Sequence, residues 1–124
     1  MRKSRSKKTI ITEIAESLGW GADFDEQKNA RTSKIERYVE FSQYSPAGQD
    51  FSFCVWYDKL GEIPRKVFDY WQDYDIDEEV KMWLEAKANG VGGVPCARVL
   101  VHDQEDIQNM IYDLWSALRE HVKG

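Results

Sequence analysis

Between Val67 and Val80 the chain carries Asp69, Asp73, Asp75, Asp77, Glu78 and Glu79 and neither Lys nor Arg. The alternating carboxylates of Asp73-Tyr74-Asp75-Ile76-Asp77-Glu78-Glu79 are of the type that converges on a hard cation such as calcium. The match fails twice: the sixth position is Glu78 where the loop needs Gly, and the twelfth is Leu84 where a bidentate Glu is required. Helix capping by Asp77, with Glu78 and Glu79 against the positive helix end, accounts for the same run without a metal. We expect no cofactor. A second use of the run is as a negative surface. Carboxylates one helical turn apart lie about 6 Å from one another, comparable to phosphates along a strand, so a decoy for a nucleic-acid-binding protein is a candidate role. Asp69, Asp73, Asp75, Asp77, Glu78 and Glu79, with the aromatics Tyr44 and Trp56, are the candidate partner-binding residues.

Other chemistry is thinner. Gly90-Val91-Gly92-Gly93-Val94-Pro95 has no following Lys-Ser or Lys-Thr and comes after a helix, so it reads as a connection and not a phosphate cradle. His102 and His121 stand near no Cys, Ser or Asp in a nucleophile–base pattern, and no catalytic residue is assigned. Tyr38, Phe53 and Trp56 are the residue types that stack nucleobases, but only Lys34, Arg37 and Lys59 accompany them, too few for that mode. An enzyme or metal-binding domain using the Asp73–Glu79 carboxylates is the alternative from a different class.

Charge is unevenly spread. Five of the 17 Lys and Arg fall in the first eight residues, so the remaining 12 face all 22 Asp and Glu, and residues 9–124 carry a net charge of −10. An acidic body repels phosphate backbones, which leaves the basic tail as the route to nucleic acid. The two cysteines, Cys54 and Cys96, show no CxxC spacing and suggest a reduced, cytoplasmic setting without disulfides. No apolar run approaches the roughly 20 residues of a membrane span, so no membrane partner is expected.

These residues need elements to hold them. We expect residues 1–8 to be a disordered basic tail and 9–124 a single domain, a size that supports one core. Thr9 caps a first helix over about Ile10–Leu18, and Trp20–Ser33 reads as an irregular connection. Alternation then predicts a hairpin over Ile35–Tyr44 and Asp50–Tyr57, broken by Ser45-Pro46-Ala47-Gly48, with Phe51, Phe53, Val55 and Tyr57 on one face and Ser52, Cys54 and Trp56 on the other. Pro64 opens a helix with Val67, Phe68 and Trp71 inward, and Asp77 caps another with Val80, Trp83 and Leu84 inward and Asn89-Gly90 as its stop. Pro95 opens a short helical turn through Val99 and Leu100. Asp103 caps the last helix, in which Ile107, Met110, Ile111, Leu114, Trp115 and Leu118 repeat at helical spacing. The fold class is α+β, a small antiparallel hairpin or sheet packed against four to five helices.

The segments Tyr44–Phe53, Val55-Trp56-Tyr57-Asp58, Asp75–Ala86 and Gly93-Val94-Pro95 also resemble a group of small proteins of gut bacteria, found in prophage and conjugative-element regions. The resemblance runs from about Tyr38 to Leu118. It implies an accessory role in a mobile element, such as interference with a host defence nuclease, and transfers no catalytic residues. The resulting expectation is a non-enzymatic protein-interaction module. It would be monomeric or homodimeric, and its partner would be encoded by the host or the element.

Overall fold

The computed structural model describes residues 6–88 and 97–122, the side chains of Trp83, 86–88 and 97–100 excepted. The Gly90–Pro95 connection, Cys96 and tail residues 1–5 fall outside that range. The described chain is α+β, with element order α1 (Lys7–Ser17), β1 (Gly21–Lys28), β2 (Ile35–Tyr44), β3 (Asp50–Tyr57), a 3-10 turn (Leu60–Glu62), α2 (Ile63–Gln72), α3 (Ile76–Ala88) and α4 (Ala97–His121).

The three strands form an antiparallel sheet in the order β1-β2-β3. The expected hairpin is present with its expected bounds, Phe41 opposite Phe53 and Val39 opposite Val55. The third strand comes from 21–28, a segment whose sequence reads as irregular. Gly, Asp, Glu and Lys are poor strand formers. Pairing with β2 overrides that propensity, placing Phe24 opposite Val39 and Ala22 opposite Phe41. The turn between β1 and β2 is closed by Asn29, whose side-chain Oδ1 accepts the Arg31 and Thr32 amides while its own amide donates to Lys34 O at 2.8 Å.

Three further boundaries and one burial differ from expectation. Ser6, not Thr9, caps α1: its Oγ accepts the Thr9 amide at 3.1 Å, so Lys7 and Lys8 belong to the first helical turn and not to the tail. Asp75, not Asp77, caps α3, its Oδ1 accepting the Glu78 amide at 3.2 Å. Leu84 points outward, 39% exposed, whereas Val80 is buried as expected. Finally, Asp103 caps nothing. The last helix begins by Ala97, six residues earlier, and Asp103 lies within it, freed by that extension for another use.

The helices cover one face of the sheet. Ile11 and Ala15 of α1, Ile63 and Val67 of α2, and Ile107, Ile111, Leu114 and Leu118 of α4 are buried with Val39, Phe41, Phe53, Val55 and Tyr57. Full burial of each Val, Leu, Ile or Phe among them contributes about 1.5–3 kcal/mol relative to exposure. Trp20, 2% exposed, closes the core edge-on to Phe53, with ring centroids 5.6 Å apart at 87°.

The turn of the hairpin is fastened to α4. Asp103 is 2% exposed, and its carboxylate accepts from Ser45 Oγ at 2.6 Å, Gln49 Nε2 at 2.6 Å and the Ala47 amide at 3.0 Å. Ser45 Oγ in turn accepts the Gln49 amide at 2.9 Å. Gly48 permits the tight return by adopting φ +86, a left-handed conformation with a steric cost for other residues. One residue along α4, Gln104 Oε1 accepts the Tyr74 hydroxyl, which ties in the α2–α3 junction.

Candidate interaction surface

The core joins α1, α2 and α4 to one side of the sheet, and among the described residues no helix covers the other side. Strand alternation and register place Asp23, Asp25, Glu36, Tyr38, Glu40, Ser42, Tyr44, Asp50, Ser52, Cys54 and Trp56 there. Every charged side chain among them is acidic. Tyr38 and Trp56, directly opposite one another, have ring centroids 4.7 Å apart, and Trp56 remains 41% exposed.

The carboxylates shape this face. Asp23 stands opposite Glu40, and Asp25 opposite Tyr38. The Asp25 carboxylate, more than any other neighbour, raises the Tyr38 phenol above its ordinary pKa, because a phenolate would face a negative charge. Cys54 Sγ lies 3.7 Å from Glu40 Oε2. Partial burial, then Glu40, raises the thiol pKa, which keeps it protonated and a poor nucleophile. Among the described residues, Asp23, Asp25, Glu40 and Asp50 have no Lys or Arg within ion-pairing distance.

The acidic run over Asp69–Glu79 is divided by its local structure. Asp69 pairs with Arg65 one helical turn back, Nε to Oδ1 at 3.2 Å, so its charge is partly answered by a residue just outside the run. Asp73 terminates α2 and Asp75 caps α3. Asp77 and Glu78 are exposed in the first turn of α3, where the helix dipole favours them. Glu79 turns partly inward toward Tyr70 and Tyr74. Burial, with Asp75 second, raises its carboxyl pKa, while burial and Glu79 push the Tyr70 phenol up to about 12.

Of the residues singled out from sequence, the structure gathers three. Trp56, Asp69 and Asp73 line one shallow depression of about 270 Å³ beside β3, together with Lys66 and Tyr70. Tyr44 shares the open face with Trp56 and is 70% exposed, but six strand positions separate the register of Trp56 (opposite Tyr38) from Tyr44, about 20 Å. Sequence reasoning missed Asp23, Asp25 and Glu40. The signal was there, since Asp23-Phe24-Asp25 alternates around one aromatic, but it is too short to outweigh the surrounding Gly, Gln and Asn.

A larger cleft of about 340 Å³ lies at the end of the sheet, where Trp56 borders Lys34, Arg37 and Lys66, interleaved with Glu36, Asp58 and Glu62. Its charges are mixed, and Glu62 is engaged by the Asp58 and Lys59 amides at 3.0 and 3.3 Å. Among the described residues, no three His, Cys, Asp or Glu side chains are grouped to hold a metal ion, and no helix is long and apolar enough to cross a membrane. Comparison of the chain with protein-family models, curated proteins and solved structures gave no match.

Proposed function

We propose that this chain is a non-enzymatic protein-interaction module that engages a basic partner through the open face of its sheet. The observation that carries the reading is the Tyr38–Trp56 stack, half exposed beside Asp25 and Glu40, which among the described residues have no Lys or Arg within ion-pairing distance. Exposed paired aromatics are the residue type that anchors interfaces, and the faces of Tyr and Trp attract guanidinium and ammonium groups. The surrounding carboxylates add long-range attraction for a positively charged surface. The depression shared by Trp56, Asp69 and Asp73 extends that surface around β3.

A partner that normally binds nucleic acid has the required charge, so the module would act as an acidic decoy. The resemblance to proteins of prophage and conjugative elements supports placing it in a mobile element, directed at a host nucleic-acid-binding or defence protein. The test is capture from a nuclease-treated bacterial lysate by the full chain and by an Asp25→Lys, Glu40→Lys, Trp56→Ala variant whose circular dichroism is unchanged. Loss of a stoichiometric partner by the variant is expected. Equal capture by both proteins would remove the open face from consideration.

A further inference from the structure

We propose that the outer edge of β1 accepts an added strand, contributed by an extended partner segment with Lys or Arg at alternate positions. The partner's charge rests on the reading of the open face given above; the edge is a separate element that would hold it. Among the described residues, β1 has β2 on one side and no strand on the other. Its backbone shows which groups face outward. Asn29 donates its amide to Lys34 O across the β1–β2 turn, whereas Glu26 donates its amide to the neighbouring Asp25 Oδ1 at 2.8 Å. Because amides alternate in direction along a strand, those of Ala22, Phe24, Glu26 and Lys28 point away from β2. A row of this kind is a template for one more strand.

The two sides of that edge are hollowed. On the open face a depression of about 250 Å³ is bordered by Asp23, Asp25, Tyr38 and Glu40. Toward the other face a smaller one of about 160 Å³ is bordered by Lys8, Phe24, Asp25, Glu26, Arg37 and Tyr57. An added strand sends successive side chains to opposite faces. One set would therefore enter surroundings with three carboxylates and a phenol ring, which suit a guanidinium or ammonium group; the other set would meet mixed charge. A second copy of this chain is a poor occupant. Antiparallel pairing of β1 with itself would set Asp25 opposite Asp25, or Asp23 opposite Asp25, across the two copies, and opposed like charges destabilise a sheet.

The experiment uses fluorescence anisotropy of a labelled eight-residue peptide alternating Arg and Thr, together with two versions N-methylated on one or the other alternate set of amides. Glu26→Pro removes an edge amide that the sheet does not use, a substitution edge strands tolerate, and Glu26→Gln controls for the lost charge. The expected result is at least tenfold weaker binding to Glu26→Pro than to Glu26→Gln. With the wild type, one N-methylated peptide should fail and the other should bind normally. The peptide comparison stands even where Glu26→Pro does not fold. Equal binding in every arm would overturn strand addition and leave the open-face reading standing. Absence of peptide binding to the wild type would overturn it too, while the lysate capture above judges the face separately. A concentration-dependent dimer abolished by Glu26→Pro would assign the edge to a second copy and overturn the proposal.

Discussion

Asp103 accepts the hydroxyl proton of Ser45 at 2.6 Å across a sequence separation of 58 residues, with both side chains buried. Among the described residues no cation pairs with the carboxylate; three hydrogen-bond donors from one turn answer its charge. Such an arrangement holds the hairpin turn to the helix layer by direction as well as by contact, because each donor has a fixed aim.

Asp103→Ala strands the Ser45 hydroxyl, the Ala47 amide and the Gln49 side-chain amide in one place. The expected loss is about 3 kcal/mol in urea unfolding, within the range for breaking a buried charged network. Ser45→Ala removes one donor and should cost less, about 1–2 kcal/mol. A loss under about 0.5 kcal/mol for Asp103→Ala would show that the network is not held in solution.

Glu40→Lys should make the protein more stable and less active. Glu40 faces Asp23 directly across the β1–β2 ladder, so the substitution replaces an opposed like-charge pair with an opposite-charge one. A gain of about 0.2–1 kcal/mol is expected at low salt, diminishing as salt is added, alongside weaker partner binding. Unchanged stability would mean that the two carboxylates already avoid one another.

Two glutamates should respond to pH with opposite signs. Backbone amides of Asp58 and Lys59 hold the Glu62 carboxyl below its usual pKa, so its ionised form stabilises the fold above the unfolded value and that contribution disappears as pH falls through the folded one. Glu62→Gln should therefore lower the melting temperature at pH 7 and make no difference in strong acid. Burial and Asp75 raise Glu79, so its charge weighs against folding once pH rises past the ordinary carboxylate value. Glu79→Gln should raise the melting temperature at pH 7, and the gain should fade toward pH 4. Melting curves of both variants across that range check the signs.

Cys54 is exposed yet should react slowly with iodoacetamide at pH 7, measured in a Cys96→Ser background. Burial and the Glu40 carboxylate both disfavour its thiolate. Glu40→Gln should accelerate labelling, and a rate independent of residue 40 would contradict the electrostatic part of this account.

The hairpin was legible because Phe51, Phe53, Val55 and Tyr57 alternate without interruption, and α4 because Ile107, Ile111, Leu114 and Leu118 repeat over three turns. β1 was not, since only Ala22 and Phe24 mark its inner face before Glu26 and Lys28 end the pattern; its strand state comes from its neighbour. The same blindness hid half of the candidate surface. Asp69–Glu79 announces itself as consecutive letters, whereas Asp23, Asp25 and Glu40 become a group only after a register of pairing is known. Asp103 shows the converse: a residue type favoured at helix starts was read locally, although its partners lie in a turn it meets only in the folded chain.

The fastening of the hairpin turn also sets an order of events during synthesis. Strands β2 and β3 can pair as soon as they leave the ribosome, because their contacts are close in sequence. The final seating of Ser45–Gln49 waits for Asp103, and the layer beneath the sheet waits for Ile107 through Leu118. Until α4 emerges, only α1 and α2 can cover the aromatic side of the sheet, and the acidic side has no helix over it among the described residues. The carboxylates of the acidic side would then discourage neighbouring nascent chains from stacking together while the other side awaits the rest of its cover.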